Sequence, residues 1–156
     1  MQQQATREQR PGFTLSNPPG LYDPAPNGYS HVAALEPGSR LLVLAGQGGE
    51  SVAGELSGDF RIQVRQAFDN VLVALKSAGA SGRDIAKLTV LVVDHTEERL
   101  HIFGEELDRA LGKGTMKPTC TLIPVPRLAL DGMLFEVEAV AVIPRKTRAP
   151  LSPRPA

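Results

Sequence analysis

Two carboxylates near the end of the sequence, Glu136 and Glu138, have the spacing that most directly suggests chemistry. The apolar residues around them predict a β-strand over residues 133–143, which puts both carboxylates on one face among apolar neighbours. A carboxylate in such surroundings must be ion-paired, hydrogen-bonded or protonated more readily than usual, and the last case makes a general acid or base, or a group that positions water. The structural alternative is an ion pair with Arg127, Arg65 or Lys87, or a glutamate at a water-filled subunit boundary.

Cys120 and Tyr29 are the other side chains that could take part in chemistry. A thiol is a nucleophile only as a thiolate, which needs a nearby base or cation, and the spacing pairs Cys120 with no histidine. Cys120 would approach Glu138 if its strand forms a hairpin with the last strand; otherwise we expect a small buried thiol. Tyr29 could line a pocket and donate a hydrogen bond from its hydroxyl, or it could pack in a turn.

Metal ions and phosphate groups are not predicted ligands. The three histidines, His31, His95 and His101, lack the spacing of metal ligands, so no metal site is expected. The glycine-rich residues 46–49 lack the phosphate-loop pattern, so we expect them to form a strand end or a pocket wall.

The composition restricts the partners and the location of the protein. Lys plus Arg and Asp plus Glu number 17 each, so the formal net charge is zero and nucleic acid is a poor candidate partner. The single cysteine allows no internal disulfide, and the polar first ten residues do not resemble a secretory signal. No apolar stretch is long enough to span a membrane. We therefore expect a cytoplasmic protein.

The elements that must position these residues follow from apolar periodicity. Residues 1–16 and 144–156 read as disordered tails, because the first are polar and the last are basic and proline-rich. Residues 17–29 are dense in turn formers. Two helices are predicted, one capped by Ser57 or Asp59 and ended by Gly79, and one capped by Thr96 and ended by Gly112. Strands are predicted at residues 31–35, 40–45, 85–93, 119–125 and 133–143.

This order of elements predicts one α/β (α+β) domain over residues 17–143, with a mixed β-sheet and two helices packed on one face. The other face of the sheet would then need a second surface to bury it. Self-association is the natural expectation.

An ordered series of short motifs resembles the YjgF/RidA family of reactive-intermediate deaminases, over about residues 27–142. The series comprises GYSH at 28–31, LAGQ at 44–47, QVRQAFDNV at 63–71, AGA at 78–80, DIAKLTV at 84–90, PT at 118–119, RL at 127–128 and EVEA at 136–139.

The resemblance implies a homotrimer with a chorismate-mutase-like fold and a ligand cleft between each pair of subunits. The deaminating members hydrolyse small imines and enamines without metal or cofactor. By resemblance, Tyr29 lines the cleft and Glu138 positions the attacking water. Gly46 and Gln47 match the glycine and glutamine that end a strand at the cleft, and Ala45 replaces a common serine.

The chain also departs from the family pattern. Deaminating members have an arginine at the position of Cys120, where its guanidinium holds the substrate carboxylate as a bidentate partner, and a thiol cannot do this. Ile102 stands where an asparagine is often found. The chain thus resembles an arginine-less branch. Arg127 matches an arginine common across the family, and we keep it as a candidate substrate-binding residue with a structural role as the alternative.

Two functions are expected from these residues. The first is cofactor-independent hydrolysis of a C=N bond, in which Glu138 positions water, backbone groups near Cys120 orient the substrate and Tyr29 closes the cleft. The alternative is a non-catalytic trimeric protein that binds a small metabolite in the same clefts. RNA cleavage is disfavoured by the zero net charge.

Overall fold

The structure is a computed structural model that describes residues 5–145 of the chain. Within these residues the strands are β1 (Thr6–Arg10), β2 (Phe13–Asn17), β3 (Val32–Leu35), β4 (Arg40–Val43), β5 (Gln47–Gly48), β6 (Ile85–Val93), β7 (Thr119–Val125) and β8 (Phe135–Ile143). The helices are α1 (Phe60–Ser77), which precedes β6, and α2 (Glu97–Leu111), which lies between β6 and β7.

Both helices begin at the residues that the sequence predicts. The Asp59 side chain accepts a hydrogen bond from the Ile62 N–H at 3.0 Å, and the Thr96 hydroxyl accepts one from the Arg99 N–H at 3.2 Å. Two glutamates in the first turn of α2 complement the positive end of the helix dipole. Neither helix is long and apolar enough to cross a membrane, as judged over residues 5–145.

The main sheet has the strand order β4-β8-β6-β7, and β5 also pairs with β8. β6 and β7 are parallel, and α2 forms the crossover between them, whereas the other pairs are antiparallel. The hairpin that would have brought Cys120 to Glu138 does not form, because β6 lies between the strand of Cys120 and the last strand. Cys120 pairs with Leu88 of β6, and Glu138 pairs with Thr89.

The two faces of this sheet have different surroundings, which confirms the predicted α/β (α+β) layering of two helices on one face of a mixed sheet. Alternate residues of β8 are buried against the helices, together with four phenylalanines. These are Phe60, Phe68, Phe103 and Phe135, whose neighbouring ring centroids lie 6.0–6.2 Å apart. The opposite face, here called the open face, exposes 51% of Leu41 and 78% of Val43 on β4.

The predicted N-terminal tail over residues 1–16 is wrong for the part that the structure describes. β1, β2 and β3 form a second, three-stranded antiparallel sheet. Phe13 and Leu15 are fully buried and pack against Ala86 and Val142, covering one end of the open face. Alternation of apolar residues after the Gly12 turn drives this hairpin, and burial of two large side chains outweighs the polar composition around them.

Two further points concern the pairing of β3 and β4 and the C-terminal residues. β3 and β4, although adjacent in the chain, pair with different sheets. The predicted C-terminal tail, residues 144–156, lies outside the described residues from position 146 onward.

A cluster of charges joins the two helices on the side away from the sheet. The Glu106 side chain is only 3% exposed and accepts hydrogen bonds from Arg65 at 2.9 Å and from Arg109 at 2.7 Å. Arg61 lies 3.5 Å from the same carboxylate and 2.6 Å from Glu105. The Arg65 guanidinium, assisted by Arg109, lowers the pKa of Glu106 to about 2 despite its burial. Here a buried charge is fully compensated.

Candidate functional site

Tyr29 lies beside the start of β7 because the segment that carries it pairs with that strand. Ser30 forms a parallel bridge with Thr119, and its N–H donates to the Pro118 carbonyl at 3.1 Å. The Ser30 hydroxyl donates to the Lys117 carbonyl at 2.6 Å in a buried position. These bonds hold Tyr29 next to Cys120, at the free edge of the sheet.

Three aromatic side chains form a cluster at this edge, here called the ring cluster: Tyr22, Tyr29 and His31. Each pair is edge-on, with ring centroids 5.5–6.4 Å apart. The hydroxyls of Tyr22 and Tyr29 share a hydrogen bond, and the His31 ring contacts the Tyr22 carbonyl at 2.9 Å. The Tyr22 hydrogen bond, followed by partial burial, raises the pKa of Tyr29 to about 12, so its hydroxyl is protonated at neutral pH.

A cavity of about 640 Å³ opens in front of Tyr29, between α2 and the segments that flank it. Its charged lining consists of Glu105, Asp108 and Lys117. Lys117 lies 2.8 Å from Asp108, so the lysine is neutralised within the lining. The cavity beside Tyr29 is lined by both polar and apolar groups.

Cys120 points toward the helices and packs against the hydrophobic core with Leu88. Burial raises the pKa of its thiol to about 11, and Lys87 offsets this only in part. The thiol is therefore neutral at physiological pH and is not activated as a nucleophile. Ile102, the other departure from the family pattern, also packs against the core.

Ala45, Gly46 and Gln47 lie at the opposite side of the sheet, where β5 pairs with β8. Gly46 approaches Glu136 so closely that a Cβ at position 46 would overlap the glutamate carboxylate. The Gln47 side-chain amide donates to the Ala45 carbonyl at 3.1 Å. A second cavity, of about 470 Å³, is lined by Gly46, Gln47 and Glu136 among others. The carboxylate that shares a pocket with the predicted glycine and glutamine is thus Glu136.

Glu138 is exposed on the open face, opposite Thr89 of β6. The three ion-pair partners considered from the sequence are engaged elsewhere. Arg65 pairs with Glu106, Lys87 donates to the Thr121 hydroxyl at 2.6 Å, and Arg127 pairs with Asp131 at 3.0 Å. Over residues 5–145 neither Glu136 nor Glu138 belongs to an ion pair. Both carboxylates of β8 are available to a ligand.

One copy of the chain does not bring these groups together. Tyr29 and Cys120 lie at the β7 edge, whereas Gly46, Gln47 and Glu136 lie at the β5 side, with β6 between β7 and β8. Three inter-strand steps separate the two sides, or about 14 Å at ~4.8 Å a step.

Arg127 is far from Cys120, which stands at the position of the substrate-binding arginine of the deaminating family members. It follows the far end of β7, while Cys120 is near the beginning. The five residue-to-residue steps from Cys120 to Val125 span about 16 Å at ~3.3 Å a step. Its ion pair with Asp131 is exposed on both sides. Within one chain, Arg127 therefore cannot place its guanidinium where the family arginine at position 120 would place it.

Sequence reasoning missed Tyr22, and spacing alone did not separate Glu136 from Glu138, which only the family resemblance selected. The signal for Tyr22 was weak, since it lies in the turn-rich segment and reaches Tyr29 only through the three-dimensional path of that segment. Over residues 5–145 no three His, Cys, Asp or Glu side chains meet as a metal site.

The chain is similar to a known group of proteins over most of its length. A family profile described as Endoribonuclease L-PSP matches residues 22–143. The RutC family protein YjgH of Escherichia coli is 31% identical over 118 residues, which cover 76% of this chain and 86% of YjgH.

Solved structures agree with the sequence matches. YyfB of Yersinia pestis, a Rid-family protein itself described as of unknown function, has a TM-score of 0.78 and 31% identity, covering 85% of this chain and 99% of YyfB. Escherichia coli TdcF, solved with bound serine, has a TM-score of 0.58 and 28% identity, covering 69% and 84%. The chain therefore belongs to the YjgF/RidA family.

Proposed function

We propose that this protein is a cofactor-independent hydrolase of small imines or enamines, acting in clefts between the subunits of a homotrimer. The observation that carries the proposal is the division of the candidate site between two sides of one sheet. A second copy that docks its β7 edge against the β5 side would bring Tyr29 and Cys120 toward Gly46, Gln47 and a β8 carboxylate. The exposed apolar residues of the open face favour such docking.

The proposed reaction adds water across a C=N bond. The water oxygen attacks the carbon and a carboxylate of β8 accepts a water proton, which then reaches the nitrogen; the C–N bond of the resulting carbinolamine breaks, giving a carbonyl compound and ammonia. Glu138 is the predicted water-positioning residue, and Glu136 is the competing candidate because it lies beside Gly46. Gln47 and backbone groups would orient the substrate, and Tyr29 would donate a hydrogen bond.

The test is suppression of imine trapping. An amino-acid oxidase or a flavin-dependent amine oxidase generates the imine in the presence of semicarbazide, and an active protein lowers the yield of semicarbazone. Glu136→Gln and Glu138→Gln, measured in parallel, identify the working carboxylate, because only one should lower activity by about 100-fold or more. No suppression by the wild-type protein with any imine would overturn the proposal.

The trimer is tested separately by native mass spectrometry of the full chain. A monomer at micromolar concentration would remove the shared cleft and with it the proposed site. Tyr29→Phe, which keeps the ring and loses the hydroxyl, then tests the donor role of that residue.

Binding without catalysis is the second candidate function. It is favoured by the neutral, inactive thiol of Cys120 and by the serine bound to TdcF, which shows that a protein of this fold holds a small metabolite. Its signature would be saturable binding of a small amine or amino acid with no suppression of semicarbazone. RNA is not the proposed substrate, because Arg61, Arg65 and Arg109 are all paired with carboxylates and the net charge is zero. A cytoplasmic location remains part of this proposal.

A further inference from the structure

We infer that the substrates are imines without a carboxylate, taken as iminium cations against the ring cluster of Tyr22, Tyr29 and His31. This inference rests on the proposed function and names the substrate class for it. Three features of the β7 edge carry it: the charges around Tyr29, the aromatic faces, and the position of the nearest cations.

The charges around Tyr29 do not favour an anionic group. The cavity in front of Tyr29 is lined by Glu105 and Asp108 but by only one lysine, Lys117. Lys117 is 8% exposed and is held by Asp108 at 2.8 Å and by the Gly112 carbonyl at 2.5 Å. It therefore has little capacity left for a substrate carboxylate. Glu105 is itself paired with Arg61 at 2.6 Å, so the ion pairs of this lining leave no lysine free for an anionic group.

The ring cluster offers a cation a second kind of contact. Aromatic faces carry negative charge, and cations placed over them are stabilised. Tyr22 is 60% exposed, so part of its ring is open to a ligand. Cys120, on the strand beside Tyr29, brings no positive charge to this edge of the sheet. A small apolar or aromatic group on the imine would contact the same surface.

Two basic residues of the neighbouring strands, Lys87 and Arg127, point away from this surface. Lys87 lies on β6 next to Leu88, so its side chain leaves the sheet on the face opposite to Cys120, where it donates to Thr121. Arg127 lies beyond the far end of β7 and pairs with Asp131. Neither reaches the ring cluster within one copy of the chain.

Hydrolysis of such a cation fits the chemistry proposed above. Protonation makes the carbon of the C=N bond more electrophilic, and water adds to it while a carboxylate takes one water proton. Transfer of that proton to nitrogen allows the C–N bond to break. The carboxylate then takes the hydroxyl proton and passes it to the departing ammonia, which gives an ammonium ion and an aldehyde or ketone. Atoms and charge balance with water as the only co-reactant.

The experiment uses two imines that differ only in a carboxylate. A flavin-dependent amine oxidase converts benzylamine to its imine, and an amino-acid oxidase converts phenylglycine to the corresponding 2-imino acid. At equal imine flux and with semicarbazide present, we expect half-suppression of semicarbazone at a protein concentration at least tenfold lower for the benzylamine imine. Equal or better suppression with the 2-imino acid would overturn the inference but leave the proposed function standing. Failure with both imines would overturn the two together.

A pair of variants tests the role of the ring cluster. Tyr22→Leu should raise the protein concentration needed for half-suppression of the benzylamine imine by about tenfold, because it removes an exposed aromatic face. Tyr22→Phe keeps the face and should stay within about twofold of wild type. Calorimetry with benzylammonium and benzoate gives an independent readout, since neither probe turns over. Preferential binding of benzoate, or equal effects of the two variants, would contradict the inference.

Discussion

Two regions of the molecule hold carboxylates in opposite ways. Glu106, between the helices, is almost fully buried and receives hydrogen bonds from two arginines, with a third arginine close by. Glu136 and Glu138, on the open face, are more exposed and have no ion pair within residues 5–145. The helix-side carboxylate has its hydrogen bonds and ion pairs satisfied within the fold, whereas the sheet-side carboxylates form no ion pair and can bind a ligand.

This difference separates a structural charge from a chemically available one. A compensated buried carboxylate is costly to change because its arginines would lose their partner. A carboxylate without partners contributes little to stability, so its presence on β8 beside Val140 and Val142 is better explained by binding or catalysis. The comparison predicts that stability and activity depend on different glutamates, and the following experiments test this from the largest effect to the smallest.

Glu106→Gln should lower the free energy of unfolding by about 2–3 kcal/mol, since it leaves the partly exposed Arg65 and Arg109 around a neutral amide. Chemical denaturation measures the loss. Glu105→Gln is the matched control: Glu105 is 63% exposed, and its pair with Arg61 should contribute less than about 1 kcal/mol. Equal losses in the two variants would contradict the assignment of Glu106 as the structural charge.

The β8 carboxylates should affect activity strongly and stability little, which is the opposite of what we expect for Glu106. Glu136→Gln and Glu138→Gln should each change the free energy of unfolding by less than about 0.5 kcal/mol. One of them should lower imine hydrolysis by about 100-fold, equivalent to about 2.7 kcal/mol of transition-state stabilisation. Denaturation and semicarbazide trapping on the same preparations measure both quantities. A large loss of stability in either variant would show that its carboxylate supports the fold.

Acid should weaken the helix-side cluster selectively. Glu106 has a pKa of about 2 in the folded chain against an ordinary value of 4.5, so its contribution is present above pH 4.5 and is lost as the pH falls toward 2. The contribution is about 2 kcal/mol after allowing for the half-exposed arginines. The difference in unfolding free energy between wild type and Glu106→Gln should therefore shrink through this window. A difference that stays constant would mean that the shift in pKa is absent.

Gly46→Ala should have a smaller effect on activity than loss of the working β8 carboxylate, and it acts at the β5 side of the sheet. Its Cβ would force the Glu136 carboxylate to move, so we expect about a tenfold loss of imine hydrolysis and a destabilisation of about 1 kcal/mol. Gly58→Ala is the control, because a Cβ there meets no atom within 4 Å. An unchanged activity in Gly46→Ala would remove Glu136 as the competing catalytic candidate.

Local elements were predictable because they depend on local patterns. The strand over residues 85–93 and the helix over residues 97–111 match the structure, since a continuous apolar run and a capped apolar stripe each specify one element. The N-terminal sheet was missed because its composition is polar. Only the alternation of Phe13 and Leu15 indicates burial, and short alternation is a weak signal beside glutamines and arginines.

The order of the strands and the arrangement of the candidate site were harder to predict from the sequence. The helix between β6 and β7 does indicate a parallel crossover, but it does not say on which side of β6 the last strand inserts. Alternation placed Glu136 and Glu138 on one face, as observed in β8. It could not decide which of them meets Gly46, because that depends on the register of β5 against β8.

The second, smaller sheet has a consequence for how copies of the chain could meet. Since Phe13 and Leu15 already occupy the Val142 end of the open face, an incoming neighbour finds room only toward the end that carries the two glutamates. A truncated chain that begins at residue 17 would lose Phe13 and Leu15, expose Ala86 and Val142, and leave an apolar patch that favours aggregation. Recombinant protein should accordingly keep the chain from residue 5 onward, with any affinity tag placed ahead of it.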